Sequence, residues 1–245
     1  MIGDILREWR DIRGFSQLEL AMEADVSSRH LSFLESGRSQ PTRDMVLRLA
    51  ETLGMPLRNR NELLMAAGFA PHYGAGNLDS EGLIDVQATL RMMLKAHEPY
   101  PAVALDAAFG IVEANAGFRQ LASALGSEGS AANLADLVFM PGPTREAIVN
   151  WAEIANYFLH RMRESLRVRG ADAPLRAVYE RALRQPGVRE VRDVRRRNSG
   201  SPVVPVVLSI GGATTRWITT VTTFGAPQDA FVEELTIEQF YPAQS

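Results

Sequence analysis

Between Ser16 and Gly37 the side chains specify two short helices and the corner that joins them, almost position by position. Ser16 and Glu19 form the pattern in which a hydroxyl and a carboxylate each satisfy a backbone N–H that the start of a helix leaves unpaired. A helix therefore begins at Ser16, with Leu20, Ala21 and Ala24 as its buried stripe. Asp25 stands where the chain must pass through a left-handed corner, a conformation Asp tolerates better than most side chains though less well than Gly. Ser27 is placed to cap a second helix running from about Ser27 to Ser36, and Gly37 suits its left-handed stop. On that helix Leu31 and Leu34 turn one side toward a core.

The opposite side carries Ser28, Arg29, Ser32 and Phe33, and a large aromatic beside an arginine on a solvent face calls for a partner. In the helix-turn-helix geometry the outer face of the second helix lies in the DNA major groove. There Arg29 would donate to guanine O6 and N7, and Phe33 would pack on a thymine methyl. Ser28 and Ser32 would bond to base or phosphate, with Ser27 beside them at the helix start. Phosphate contacts are expected from the N-terminus of the preceding helix with Gln17, and from Arg10, Arg38 and Arg43. The competing reading is an ordinary helical domain in which Arg29 and Phe33 decorate the surface or meet a protein. His30 lies at the edge of the buried arc and is expected to pack or touch a phosphate, while Arg13 and Arg48 are expected to be solvated.

Charge adds little to the case for DNA. Over residues 1–70 nine arginines face ten carboxylates, a net of −1. Attraction must come from a local patch around Arg10, Arg29, Arg38 and Arg43. A small salt-dependent contribution per subunit favours a dimer on a two-part, partly palindromic site.

Further along, Thr42 caps a helix through Leu53, and Asn59 with Glu62 repeats the cap pattern for a fifth helix ending before Gly68. Pro71 to Asn77 then breaks periodicity with turn-forming residues. The expected division is a DNA-binding domain at 1–70, a linker at 71–79 and a second domain at 80–245. A chain of 245 residues with 46% hydrophobic content has room for two cores. Without cysteine, disulfides, thiolate metal sites and cysteine nucleophiles are excluded. Four histidines lack metal-ligand spacing and no catalytic constellation is visible, so neither an enzyme nor a bound cofactor is expected. No apolar run approaches a membrane span, and Met1 to Asp4 lacks a signal-peptide pattern, so the protein is expected to be cytoplasmic with no membrane partner.

The second domain is expected to open with a helix from Ser80 to Ala96, followed by strands at Ala102–Asp106 and Gly110–Glu113. Asn115 begins the next helix. Helices are expected at Leu134–Phe139, Thr144–Arg167 and Pro174–Arg184, then strands at Val203–Ile210, Thr214–Phe224 and Phe231–Glu238. Alternation along Thr214–Phe224 places Trp217, Thr219, Val221 and Thr223 on one face and Arg216, Ile218, Thr220, Thr222 and Phe224 on the other. The basic run Arg189, Arg192, Arg195, Arg196 and Arg197 reads as solvated surface, with an extended DNA contact as the alternative.

Residues Leu6 to Ala70, with Trp9-Arg10, Ser16-Gln17, Val26 to Phe33, Glu35 to Arg38, Pro41-Thr42-Arg43 and Pro56 to Leu64, resemble the Xre/Cro-type, lambda-repressor-like DNA-binding domain of bacterial regulators. The later segments His97 to Ala102, Asn115, Asn150-Trp151, Thr222 to Gly225, Glu233 to Leu235 and Phe240 to Pro242 resemble the branch in which an MmyB-like domain of PAS-like fold follows. Asp25, where the family usually has Gly, and Pro242-Ala243-Gln244, where an acidic residue is common, depart from the pattern. The resemblance implies five helices, then a five-stranded antiparallel sheet flanked by helices around a pocket: α plus α+β overall. It also implies nucleoid association in a bacterium and a small apolar effector such as a fatty acid. Candidate ligand contacts are Arg145, Asn150 and Arg216 for a polar head, and Leu105, Phe118, Trp151, Ile154, Phe158 and Ile218 for the chain. Taken singly, such apolar residues read as plain core; it is for the domain as a whole that the resemblance implies a ligand. The alternative for the whole domain is a scaffold for dimerisation or protein contact, as in a phage-type repressor or antitoxin.

Overall fold

The computed structural model describes residues 1–127, 132–170, 172–192 and 203–243. Polar caps decide where its early helices start. Helix α1 spans Ile2–Arg13, α2 Gln17–Glu23, α3 Ser28–Glu35, α4 Arg43–Thr52 and α5 Leu57–Ala66. Ser16 Oγ accepts the Glu19 N–H at 3.2 Å, and the Glu19 carboxylate accepts the Ser16 N–H at 2.7 Å. Ser27 and Thr42 cap α3 and α4 through the N–H groups of His30, at 3.1 Å, and Met45, at 3.3 Å. Asp25 takes φ 51°, and Gly37, with φ 71°, follows the end of α3. Leu6 and Trp9, Leu20, Leu31 and Leu34, Leu49 and Leu53, and Leu63 and Leu64 converge in one core. Helix α1 comes so close to the end of α3 that a Cβ on Gly3 would lie 2.5 Å from the Glu35 carbonyl oxygen.

The bond from Ser16 holds the Glu19 carboxyl below its ordinary pKa. A depressed folded pKa contributes stability above the unfolded value and loses it as pH falls through the folded value. The denaturation midpoint of the full chain should therefore drop on acidification with a component that Glu19→Gln removes, measured by urea titrations from neutral pH downward.

The fifth helix begins differently from expectation. Asn59 lies inside α5, bonded to Glu62 at 3.0 Å, so the pair is not a cap. Pro56 at the helix entrance carries no polar side chain, and the open Leu57 N–H is accepted by the Glu233 carboxylate at 2.7 Å. The chain forms two compact units: residues 1–76 with 167–170 and 226–233, and the remaining described residues.

In the second unit a 3₁₀ turn, Glu81–Leu83, leads into α6, Ile84–Ala96, then β1, Ala102–Leu105, β2, Ile111–Ala114, and α7, Ala116–Ala124. Helices α8, Leu134–Phe139, α9, Pro143–Ala147, α10, Trp151–Arg169, α11, Ala173–Leu183, and α12, Val188–Arg192, come next. Strands β3, Val206–Ile210, and β4, Ala213–Thr223, and, after the short α13, Ala230–Glu234, which belongs mostly to the first unit, β5, Thr236–Pro242, complete the chain. Among the described residues the strands form one antiparallel sheet in the order β2-β1-β5-β4-β3, a PAS-like α+β architecture. Buried Asn115 caps α7 through the Phe118 N–H at 2.8 Å and also accepts the Ala102 N–H at 2.9 Å. Its amide donates to the Leu94 carbonyl at 3.1 Å, tying α6, β1 and α7 together.

Two expected elements are redrawn by packing. The helix expected over Thr144–Arg167 is split into α9 and α10, because the intervening residues bond to the edge of the sheet. Val149 N–H donates to Val207 O at 2.8 Å, and Asn150 accepts the Val207 N–H at 3.0 Å while donating to Pro205 O at 2.8 Å. The strand expected over Phe231–Glu238 becomes α13 followed by a strand reaching Pro242. The Asp229 carboxylate accepts the Phe231 and Val232 N–H groups and so starts a helical turn. Pairing with β1 and β4 then carries β5 onward. Arg195, Arg196 and Arg197 lie outside the described residues.

Candidate functional site

On α3 the side away from Leu31 and Leu34 presents exposed Ser28 and Arg29 with half-buried Ser32 and Phe33. The Arg29 guanidinium carbon lies 5.4 Å from the Phe33 ring centroid, and that of exposed Arg38 lies 5.9 Å from the same ring. Each such contact at a wet site is worth about 0.5–1 kcal/mol. Two cations thus gather on one aromatic without an ion pair to either among the described residues. Arg43 donates to His72 Nδ1 at 3.0 Å. Ser27 is engaged in its cap.

Arg10 and Gln17, expected at phosphates, turn inward instead. Arg10 donates to the Glu35 carboxylate at 2.8 Å and to the Phe15 carbonyl at 2.9 Å; its side chain is 14% exposed and that of Glu35 1%. Gln17 donates to the other Glu35 oxygen at 2.8 Å, and Arg7 to the Glu35 carbonyl at 3.0 Å. The bond to Glu35 raises the Arg10 pKa. Glu35 therefore locks the end of α3 to α1 and α2. A helical wheel contains the signal for this pair: Arg10 is four residues beyond Leu6 and Glu35 four beyond Leu31, so both fall on core faces.

The second unit holds a partly open cavity of about 500 Å³. Its wall is built from Phe118, Leu121 and Ala122 of α7, Leu134, Leu137 and Val138 of α8, Ile154, Tyr157 and Phe158 of α10, Val206 and Leu208 of β3, Thr219 of β4, and Glu238 and Phe240 of β5, with Thr144 and Ile148 between. Phe118, Ile154 and Phe158 of the expected contacts are in this wall. The others lie elsewhere. Leu105 is fully buried in the core. Trp151 donates its indole N–H to the Val138 carbonyl at 2.8 Å beneath the Arg145 guanidinium, 3.8 Å from its ring centroid. Arg145 is held by the Phe139 and Pro186 carbonyls at 3.0 and 2.7 Å, and burial lowers its pKa. Asn150 is used by the sheet edge. Arg216 and Ile218 fall on the face of β4 opposite to Thr219, because alternation sorts a strand into two faces without saying which one is covered.

Sequence reasoning missed Tyr157, Thr219 and Glu238. The strand expected over Phe231–Glu238 leaves Glu238 at its last position, whereas the observed register puts it third in β5.

Residues 86–245 match the model of the MmyB-like transcription regulator ligand binding domain, and residues 6–58 match that of a helix-turn-helix. Fold and matches together define a DNA-binding transcriptional regulator with a ligand-binding domain. The chain belongs to the MmyB-like transcription regulator family, whose domain covers more than half of it. No curated protein matches the chain. Both families are regulator domains rather than enzyme families. Among the described residues no helix is long and apolar enough to cross a membrane, and no cluster of His, Asp and Glu has the makings of a metal site.

Proposed function

We propose that the protein is a homodimeric regulator that reads a partly palindromic operator with Arg29, Phe33, Ser28 and Ser32, and that a small aliphatic effector in the 500 Å³ cavity biases its DNA-binding state. The observation that carries this reading is the cavity itself. Its size falls in the range of small-molecule sites, and its wall is mostly apolar with few polar groups. The chain of a fatty acid fits that chemistry, and the reading places the protein in the bacterial cytoplasm on the nucleoid.

Native mass spectrometry tests it directly: a lipid-sized adduct on a dimer supports the reading. An empty dimer, unmoved by a panel of aliphatic ligands in operator-binding assays, replaces it with a dimerisation scaffold. For the DNA half, Arg29→Ala should relax preference at one base position and cost about 1–3 kcal/mol per half-site. Arg38→Ala should weaken all sequences alike and flatten the salt dependence. Fluorescence anisotropy on a randomised oligonucleotide pool reads both, and an unchanged profile in Arg29→Ala would remove it from the reading face.

A further inference from the structure

We propose that the cavity selects an aliphatic chain headed by a neutral hydroxyl, whose O–H is accepted by Glu238, over one headed by a carboxylate. The inference rests on the cavity being the effector site and specifies the head group that site takes. Among the polar groups of the wall, the Thr144 hydroxyl is already bonded to the Leu125 carbonyl at 3.3 Å and to Ser127. What remains is Glu238, Tyr157 and Thr219.

Glu238 is a carboxylate on the central strand of the sheet, its side chain 5% exposed, in the cavity wall together with Phe240 two residues on. Its ion-pair partner is Arg161 of α10, which also sits 4.9 Å from the centroid of the Phe109 ring. A buried carboxylate without a cation would be prohibitive, and Arg161 answers that need. An ionised carboxylate is nonetheless acceptor-only, with two oxygens and about four lone-pair directions. One guanidinium leaves acceptor capacity, and Glu238 borders the empty space.

The two free hydroxyls frame the same region. Tyr157 precedes Arg161 by one helical turn on α10, which places both on one helix face. Thr219 is diagonal to Glu238 across the β4–β5 ladder, since Val221 pairs with Glu238 and Thr219 with Phe240. Neither hydroxyl meets a hydrogen-bonding partner among the described residues.

A ligand hydroxyl suits this set because it donates and accepts at once: its O–H donates a hydrogen bond to Glu238 and its oxygen accepts one from Tyr157 or Thr219. A ligand carboxylate brings acceptors and negative charge against an acceptor of the same charge, in a wall whose described residues include no cation. Arg145, the expected anchor for an anionic head, is spent on two backbone carbonyls.

The test uses delipidated full-length protein and calorimetric titration with decanol, decyl methyl ether and decanoate near neutral pH. Decanol should bind about tenfold or more tightly than the ether and the carboxylate, as expected for a hydrogen bond to a charged acceptor. The ether controls for hydrophobicity, being more apolar than the alcohol but without a proton to donate. In Glu238→Gln the preference for decanol over decanoate should shrink toward parity. Decanoate or the ether binding wild type as tightly as decanol overturns the head-group assignment while leaving the cavity an effector site, as does an unchanged preference in a folded Glu238→Gln variant. Should that variant not fold, the wild-type series decides alone. Failure of all three probes to bind overturns the effector-site reading itself.

Discussion

Glu35→Ala is expected to cost the helix-turn-helix unit about 3–5 kcal/mol, the range for removing one partner of a buried ion pair. The cost arises less from the lost attraction than from what is left behind. Arg10, 14% exposed, would keep its charge in a protein environment with only the Phe15 carbonyl and Asp11 near it. Gln17 would lose its acceptor, and the end of α3 would lose its tie to α2. Against a typical total of about 5–15 kcal/mol, this removes much of the stability of the unit. Urea denaturation of the full chain followed by circular dichroism should show an early transition with the helical content of the first unit, and operator binding should fall with it. Arg10→Met combined with Glu35→Leu should recover most of the loss, because a buried pair replaced on both sides by apolar residues leaves no orphan charge. Both side chains are turned inward, so the folded double variant should keep the wild-type sequence profile. A Glu35→Ala transition indistinguishable from wild type would show that the pair does not hold the reading helix in place.

Ala122→Trp is expected to abolish effector binding by occupying the space from within. Ala122 is half-buried on α7 with its methyl in the cavity wall, so an indole there projects into a volume of about 500 Å³ rather than into packed atoms. Wild type in the presence of decanol at a hundred times its Kd should gain about 2.7 kcal/mol against unfolding, by mass action on the folded state alone. The Trp variant should gain none, and its operator affinity should no longer respond to decanol. Its own stability should change little, or rise if the indole fills the void well. Unaltered stabilisation of the variant by decanol would place the binding site elsewhere.

The contrast between Glu35 and Arg29 shows how legibility in the sequence is distributed. Arg29 and Phe33 are recognisable as an outward pair because helical periodicity relates them to Leu31 and Leu34 within a single turn or two. Their mutual contact, with Arg38 on the same ring, follows from the same helix and the loop after it. Arg10 looked like a neighbouring phosphate contact because a count of arginines does not reveal what each one faces across a core. The ligand set divides in the same way. Phe118, Ile154 and Phe158 lie on helix stripes that spacing places, whereas charge or polarity alone points to Arg145 and Asn150, which backbone carbonyls hold elsewhere, and to Arg216, which falls on the other face of β4.

What the residues dictate by themselves are features whose partners lie within three or four positions: the caps at Ser16, Ser27, Thr42 and Asn115, the left-handed corner at Asp25, and the outward face of α3. These are short-range steric and hydrogen-bonding problems, solved by the local chain in any context. Tertiary structure alone decided the rest. It moved the cap of α5 to Glu233, 176 positions away, and broke a long helix at the edge of β3. It also turned Arg10 inward to Glu35 across 25 positions and set the Arg161–Glu238 pair beside the cavity across 77. In each case a buried polar group needed a partner that its own neighbourhood lacked, and only the closure of distant segments brought one within reach.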